Sequence, residues 1–352
     1  MASTITRRSS DHSMAKAGDE LLDASGAPAL RAPLLLDWVP EFATISHGRA
    51  PTQLPPLPRG IVELSSRAFL CVSGAERESW LQGVQTADVR RILVEGAGPT
   101  LFLNSRGRAL SDGLLWRRAG ELLATVPADR LASLLQHLNG LLIMEDAELN
   151  PAPSLHAMRL SPGAAREILV ALAPAQREQF AALRGTPGPL GFDLLVSDDL
   201  CSALLAAIPE RPDPLALEQH RLALGVPLWA QDFDADSTPL EAGLDGQLAF
   251  DKGCYVGQEV IAMATFRGRV PWNLVRLEVE GTAPAVGSAL DSARGAKGRV
   301  TSSVALGQRA LLLGIVHRES IEPGTPIPLA DGRSATVLGL PYGSRPGAGQ
   351  RG

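Results

Sequence analysis

The densest group of chemically active side chains lies at residues 250–259, which read Phe-Asp-Lys-Gly-Cys-Tyr-Val-Gly-Gln-Glu. The run combines a thiol, an amine, a phenol, an amide and carboxylates in a chain dominated by small and apolar residues. Residues 260–263 have the apolar content of a short helix, so Cys254 is predicted at a helix entrance, two residues after Lys252. A helix N-terminus and a nearby cation both favour a thiolate. The sequence therefore predicts a reactive Cys254, although most free cysteines are small buried hydrophobes.

Other residues of the same run can position the thiol. Gly253 and Gly257 allow the backbone to bend or to approach another group closely. Gln258 and Glu259 are candidates for orienting the loop. An exposed ion pair of Glu259 with no measurable effect is an equally good interpretation.

A second candidate, Asp112, lies after a predicted hairpin turn at residues 104–107. Side chains alternate between the two faces of a strand, so Asp112 shares a face with Leu110, Leu114 and Trp116. A carboxylate on an apolar stripe is costly unless it has a partner or a use. Asp112 therefore either points into a ligand cavity or reaches solvent at a strand edge.

Composition limits the classes of function. The chain has 352 residues, of which 45% are hydrophobic and 20% charged, as in soluble proteins with more than one domain. A net charge of −5 argues against nucleic-acid binding driven by overall charge. Three widely spaced cysteines favour a reducing compartment over a disulfide framework. The histidines form no metal-type spacing with each other or with cysteine. We find no apolar run of about 18 residues and no signal peptide, so the sequence predicts a cytoplasmic protein without a membrane partner.

The elements that must position these residues divide the chain into five predicted segments. They are a mobile, Pro- and Ala-rich extension (1–58), an α+β domain (59–152), a second α+β domain that ends with the cysteine motif (153–265), a small β-barrel (266–342) and a disordered tail (343–352). The barrel is predicted from short strand-like runs between Gly and Pro turns. Strands and helices alternate in the first two domains without the long apolar strands of a doubly wound sheet, which favours two α+β sandwiches.

Ser73 and Glu76 predict a capping box for a helix that buries Trp80, Leu81 and Val84. Neither a phosphate loop of the Walker type nor a dinucleotide-binding glycine fingerprint occurs.

Residues 252–259 resemble the signature octapeptide of the YgfZ family. That family consists of folate-binding proteins tied to iron–sulfur cluster assembly or repair and, in bacteria, to a tRNA-modifying label. Supporting similarities extend from about residue 60 to residue 340. They lie at 81–83, Thr86, 88–89, 103–107, Asp112, Arg221, 225–227, 238–244 and 267–268.

The YgfZ family is related to the T-protein of the glycine cleavage system, an aminomethyltransferase that uses tetrahydrofolate. This resemblance implies two α+β domains and a barrel around a central cavity that holds tetrahydrofolate or a derivative. It matches Asp112 to an aspartate near the reacting end of folate. It also implies that Tyr255 stacks on or hydrogen-bonds to the folate ring and that Gly257, Gln258 and Glu259 lie near the cofactor. Arg267 and Arg269 are candidates for contacting an anionic ligand tail, such as the glutamate of folate, and simple solvation of the two charges is the alternative.

Two differences from T-proteins bear on the function. T-proteins lack the motif cysteine, and they carry a pterin-binding glutamate in the stretch that matches residues 221–225, where this chain has Ala223 and Leu224. These differences argue against aminomethyl transfer.

The sequence therefore supports three hypotheses. The first is a monomeric, folate-binding accessory protein whose partners are iron–sulfur proteins or assembly factors. In it, Cys254 acts in redox chemistry or transient ligation and Lys252 favours its thiolate. One cysteine cannot hold a cluster alone, because clusters usually take four ligands. The second hypothesis is a tetrahydrofolate-dependent one-carbon transferase with Asp112 as its catalytic base. The third is a non-catalytic scaffold.

Overall fold

The computed structural model describes residues 51, 54–161, 164–181, 183, 185–267 and 270–344. Most of the predicted N-terminal extension and most of the predicted tail lie outside these residues. Arg269, the predicted contact for an anionic ligand tail, also lies outside them.

Eight α-helices occur in the described part of the chain. They are α1 (Arg77–Val84), α2 (Val89–Glu95), α3 (Leu131–Asn139), α4 (Ala164–Ala171), α5 (Pro174–Ala181), α6 (Asp198–Ala207), α7 (Pro214–Leu224) and α8 (Gln258–Arg267). The strands are β1 (Ile61–Glu63), β2 (Arg67–Ser73), β3 (Ala97–Leu103), β4 (Ala109–Arg118), β5 (Glu121–Pro127), β6 (Glu148–Pro151), β7 (Leu155–Leu160), β8 (Gly185–Gly188), β9 (Gly191–Ser197), β10 (Trp272–Glu280), β11 (Ala289–Asp291), β12 (Lys297–Leu306), β13 (Arg309–His317), β14 (Pro326–Pro328) and β15 (Ser334–Gly339).

The first sheet has the antiparallel order β3-β4-β5-β2-β6. Helices α1, α2 and α3 cover one of its faces, and Trp80, Leu81, Val84 and Leu134 are buried in the core between them. The second sheet has the order β1-β7-β9-β8, and α4, α5 and α6 cover it in the same way. The open face of the first sheet packs against the second through Trp116, Leu114 and Leu195, among others. Each half is thus an α+β layer structure, as the sequence predicts.

The third sheet has the order β11-β12-β13-β10-β15-β14. A single antiparallel bridge between Leu290 and Leu329 joins its two edges, so the sheet is almost closed into a barrel. This closure hides the unpaired backbone groups that an open edge would expose. The predicted α+β fold with a C-terminal barrel is confirmed, while the central cavity stays a prediction.

A buried polar cluster joins α7 to the barrel. Arg221, at the end of α7, is 3% exposed and binds Asp232 at 2.7 Å through Nη1. Asp232 also accepts from the hydroxyls of Thr301 and Ser302, both at 2.6 Å. Buried charges are tolerated when they are paired and hydrogen-bonded in this way.

The predicted capping box does not form. Glu76 is the N-cap residue of α1, but no side chain caps that end of the helix. The carboxylate of Glu76 instead accepts from the backbone N–H of Asp146 at 2.7 Å, so it fixes the loop before β6. The predicted burial of Trp80, Leu81 and Val84 on this helix is confirmed.

Within the described residues, no helix combines the length and apolar character needed to span a lipid bilayer.

Candidate functional site

The cysteine motif lies across the turn that connects α1 to α2, and Lys252 is its main anchor. The residue is 7% exposed, and its Nζ donates to the carbonyl oxygens of Gln82, Gln85 and Ala87 at 2.7, 2.5 and 2.8 Å. The same ammonium lies 4.9 Å from the centroid of the Tyr255 ring, within the range of a cation–π contact. Lys252 therefore ties the motif to a turn that lies far away in the sequence.

Local hydrogen bonds give this turn its shape. The side chain of Asp88 caps α2 by accepting from the backbone N–H of Arg90 at 3.1 Å. Gln82 donates to Asp88 at 3.0 Å and accepts from the backbone N–H of Val89 at 2.7 Å. These side chains hold the backbone of the turn whose carbonyls bind Lys252.

The environment of Lys252 is sensitive to pH. Burial lowers its pKa to about 7, and the charge of Asp88 raises it by a smaller amount. Only the protonated amine has three N–H groups, so only that form can satisfy all three carbonyl acceptors. Burial and the carbonyl acceptors therefore act on this proton in opposite directions, and burial has the larger effect.

Gly257 makes the second anchoring contact, against the turn of the β3–β4 hairpin. Its φ is +83°, and a Cβ at this position would lie 2.6 Å from the carbonyl oxygen of Asn104. The side chain of Asn104 accepts from the backbone N–H groups of Arg106 and Arg108, at 2.9 and 3.1 Å, and so fixes that turn. Only glycine fits this close approach with a left-handed backbone. Gly253 has open space around it instead.

Cys254 is an exposed, free cysteine in the segment before α8. Lys252 is anchored on one side of it, and on the other the backbone N–H of Val256 donates to the carbonyl of Gly83 at 3.1 Å. Asp251, next to Lys252, also forms an exposed ion pair with Arg91 at 2.6 Å. The thiol therefore stands on a surface loop that is fixed at both ends. Its reactivity, and the influence of Lys252 on it, stay predictions.

Tyr255 faces inward. It is 6% exposed and packs in an apolar cluster with Leu101, Leu103 and Ile261. Burial raises the pKa of its phenol to about 12. Tyr255 therefore helps to hold the motif against β3, and a contact with folate stays a prediction.

The last residues of the motif begin α8. The side-chain oxygen of Gln258 accepts from the backbone N–H of Tyr255 at 3.3 Å, which supports the predicted loop-orienting role. Glu259 is exposed in the first turn of the helix. A carboxylate there interacts favourably with the helix dipole.

Asp112 lies on the face of the first sheet away from α1, α2 and α3, in register with Leu101 of β3. Arg67, at the start of β2, binds both of its carboxylate oxygens at 3.0 and 2.8 Å. The two side chains are 22% and 16% exposed, so the pair is partly shielded from water. Asp112 thus has the partner that a carboxylate on an apolar stripe needs.

Neither Arg67 nor the contact of Arg130 with Trp229 is predicted from the sequence. The Arg130 side chain donates to the carbonyl of Leu110 on β4 at 3.0 Å, and its guanidinium lies 5.5 Å from the centroid of the Trp229 ring. These residues are far apart in the chain, and no local pattern links an arginine to a distant carboxylate or ring. An arginine at a strand end is a weak signal that becomes useful only once strand register is known.

Comparisons with known proteins agree with this arrangement. No family model matches the chain. The tRNA-modifying protein YgfZ of Escherichia coli is 25% identical over 320 residues, which cover 84% of this chain and 96% of that protein. The chain is related to the YgfZ proteins. The resemblance predicted from the cysteine motif is therefore confirmed.

Two further relatives carry other names. The mitochondrial iron–sulfur cluster assembly factor IBA57 of Mus musculus is 27% identical over 243 residues, covering 64% of this chain and 67% of that protein. A putative chloroplastic transferase of Arabidopsis thaliana is 25% identical over 313 residues, covering 81% and 71%.

A solved structure supports the fold. The glycine cleavage system aminomethyltransferase T of Bartonella henselae matches with a TM-score of 0.68, over 84% of this chain and 88% of that one, at 19% sequence identity. The predicted relation to the T-protein fold is confirmed.

Proposed function

We propose that this protein binds a reduced folate and supports the assembly or repair of iron–sulfur proteins, with Cys254 as a transiently ligating or redox-active thiol. The observation that carries the proposal is the exposure of Cys254 on a loop anchored at both ends. A thiol held in a fixed position can be presented to a partner without the entropic cost of ordering the loop. The name of the IBA57 relative, an iron–sulfur cluster assembly factor, supports the iron–sulfur part of this proposal.

Asp112, on the face of the first sheet away from its helices, and Trp229, in the segment after α7, fit a pterin ring in chemical type. Each carboxylate oxygen of Asp112 has a lone pair left after Arg67 has bound, so Asp112 can still accept a pterin N–H. Trp229 is partly exposed and offers an aromatic surface near Arg130. A reduced folate bound there would supply a one-carbon carrier or an electron-rich pterin, and the chain's own part is to orient and shield it.

A single surface thiol limits what Cys254 can do with a cluster. Iron–sulfur clusters usually take four protein ligands, so Cys254 would contribute one ligand in a complex with a partner. Cys71 and Cys201 cannot help directly: Cys71 donates to Glu121 at 2.9 Å, and Cys201 is buried in the core of the second layer structure. The partner would supply the remaining ligands.

A complementation experiment tests the role of the thiol. A host strain lacking the gene receives the wild-type chain, Cys254→Ser or the control Cys71→Ser, and the activity of a cluster-dependent enzyme is measured under oxidative stress. We expect Cys254→Ser to fail and Cys71→Ser to restore activity. Full restoration by Cys254→Ser would remove the thiol from the proposal.

Folate binding is tested separately by titrating purified protein with tetrahydrofolate and following its thermal unfolding. A ligand that binds only the folded protein raises apparent stability by mass action. We expect a shift for wild type that is reduced in Asp112→Asn and unchanged in Asp129→Asn, an exposed aspartate just after β5. No shift with tetrahydrofolate would overturn the folate part of the proposal.

A one-carbon transferase is the second candidate, favoured by the likeness of the fold to an aminomethyltransferase. One feature of the chain weighs against it. Ala223 and Leu224 are apolar and buried, so neither can take the place of the pterin-binding glutamate of T-proteins.

Turnover of tetrahydrofolate with an aminomethyl or methyl donor separates the two candidates. Transfer that is abolished in Asp112→Asn but retained in Cys254→Ser would establish the transferase. The accessory role predicts no transfer by either protein and loss of function only in Cys254→Ser.

A further inference from the structure

A separate group of metal-ligand side chains lies on the helix-covered side of the second sheet. It consists of Glu63 in β1, His156 in β7 and Cys201 in α6. One ligand atom from each residue lies within 4.8 Å of the others. Among the residues that the structure describes, this is the only such group of three.

The fold explains why these residues meet. Glu63 pairs in register with Met158 on β7, and His156 projects on the same side of that strand as Met158 because side chains alternate. Cys201 packs on this side too, with its Sγ 3.6 Å from the Met158 sulfur. Asp198 lies three positions before Cys201 at the start of α6, so both side chains occupy one face of the helix.

The imidazole of His156 is bound at both nitrogens. Its Nδ1 lies 2.7 Å from a Glu63 oxygen, and its Nε2 lies 2.6 Å from an Asp198 oxygen. Burial lowers the pKa of His156, but the hydrogen bonds to Asp198 and Glu63 outweigh it, so the pKa is raised overall. Without a metal, both ring nitrogens therefore face carboxylate oxygens.

We propose that Glu63, His156 and Cys201 bind one divalent transition-metal ion, for which Zn²⁺ is the best chemical match. Nδ1 of His156 takes the metal, and Nε2–H keeps its hydrogen bond to Asp198. A ligating histidine typically donates its second N–H to a carboxylate in this way, which fixes the ring and strengthens the ligand. The metal displaces the proton of the Cys201 thiol and the Nδ1 proton, and both pass to solvent.

The donor set selects the class of metal. A thiolate with an imidazole suits Zn²⁺ and related transition ions, whereas Mg²⁺ and Ca²⁺ prefer oxygen ligands alone. Zinc bonds of about 2.0 to 2.3 Å place tetrahedral ligand atoms about 3.5 Å apart. His156 Nδ1 and the Glu63 oxygen, now 2.7 Å apart, therefore have to separate by about 0.8 Å, and atoms as far apart as 4.8 Å have to close by about 1 Å. Three protein ligands leave a fourth position for water or for a group from a partner.

The half-exposed setting gives the ion a path to the site. The side chains of His156 and Glu63 are 28% and 34% exposed, while Cys201 is 4% exposed at the base. A metal can therefore enter from the carboxylate side and reach the thiol without unfolding the sheet.

The test uses the full chain with Cys254→Ser and Cys71→Ser, so that Cys201 is its only cysteine. Zinc chloride is titrated by calorimetry, and cobalt chloride is titrated by absorption. We expect one bound ion and a thiolate-to-cobalt charge-transfer band. The band should vanish in Cys201→Ser, and Zn²⁺ binding should be lost in Cys201→Ser and His156→Gln.

Asp198→Asn keeps the test usable if a ligand variant fails to fold, because it changes only an exposed carboxylate. Loss of this outer partner should weaken Zn²⁺ binding by about 10- to 100-fold. The neighbouring exposed residue supplies a matched control, since Asp199→Asn should leave the affinity unchanged. Absence of the cobalt band, or equal affinity in Asp198→Asn and Asp199→Asn, would overturn the proposal in favour of a metal-free ion-pair cluster.

Discussion

Replacing Gly257 by alanine tests whether the cysteine motif is locked onto the β3–β4 hairpin. The residue has φ of +83°, and a left-handed backbone costs an L-residue about 1 to 2 kcal/mol. The added Cβ would lie 2.6 Å from the Asn104 carbonyl oxygen and 3.2 Å from the Gly107 Cα. Both are backbone atoms that cannot rotate away, so overpacking adds about 1 to 3 kcal/mol. Alanine also lowers the conformational entropy of the unfolded chain, and this effect offsets less than about 1 kcal/mol of the lost stability. We therefore expect Gly257→Ala to lower the free energy of unfolding by about 2 to 4 kcal/mol.

Gly253→Ala is the matched control in the same motif. Nothing lies within 4 Å of its Cβ position, and its φ is not in the left-handed region. Alanine there should change stability by less than about 1 kcal/mol and in the stabilising direction. Urea unfolding followed by tryptophan fluorescence measures both variants, and Cys254 reactivity toward a thiol reagent reports whether the motif has come loose. Equal midpoints for the two variants would refute the docking geometry.

Three further predictions concern residues elsewhere in the molecule. Asp232→Ala removes one of the two carboxylates that bind Arg221 and leaves Glu218 as the other. It should therefore lower the free energy of unfolding, measured with urea, by about 1 to 3 kcal/mol. Asp331→Ala breaks an exposed pair with Arg333, so it should leave the urea midpoint nearly unchanged. Equal losses of stability in the two variants would contradict the burial of the Arg221–Asp232 pair. The unfolded chain holds the Lys252 proton up to about pH 10.5 and the folded chain releases it near pH 7, so this residue should make stability rise with pH between those values. Only three lysines occur in the chain, so Lys252→Met should flatten the dependence of the free energy of unfolding on pH. A flat dependence in the wild-type chain would mean that the three carbonyl acceptors keep Lys252 protonated despite its burial. Burial raises the pKa of the Cys71 thiol to about 12, and it also raises the pKa of the Cys201 thiol above its usual value. A thiol reagent at pH 8 should therefore modify one cysteine rapidly, and that fast phase should be absent in Cys254→Ser.

The fold class could be predicted from the sequence because it follows from the spacing of apolar residues within single helices and strands. The apolar face of α1 and the short strands of the barrel are periodic signals within a few residues of each other, and both are confirmed. The capping box at Ser73 and Glu76 failed because a tertiary contact with Asp146 took the carboxylate that the local motif needed. Predictions from short-range patterns were therefore correct for buried apolar faces and wrong for a polar side chain that had a distant partner.

The contacts within the candidate site could not be predicted in this way. Lys252 lies two positions from Cys254 in sequence, which suggested an effect on the thiol, but its long side chain reaches three carbonyls on another element. Asp112 meets Arg67 across the sheet, and His156 meets Cys201 across a strand and a helix. Each of these pairings depends on strand register, which the hydrophobic pattern alone does not specify between distant strands.

The pairing of β1 with β7 means that the second sheet is built from two separate parts of the chain. β1 begins in the second sheet, the whole first sheet with its helices follows, and β7 then returns beside β1. The backbone N–H of Leu64 bonds to the carbonyl of Ala157 at 2.8 Å, so the chain leaves and re-enters at nearly the same point. The first layer structure is thus an insertion within the second, with neighbouring ends that a short linker could span. During synthesis, Glu63 leaves the ribosome before the first layer structure, and His156 and Cys201 leave after it. The second layer structure can therefore be completed only after the whole inserted layer structure has been synthesised.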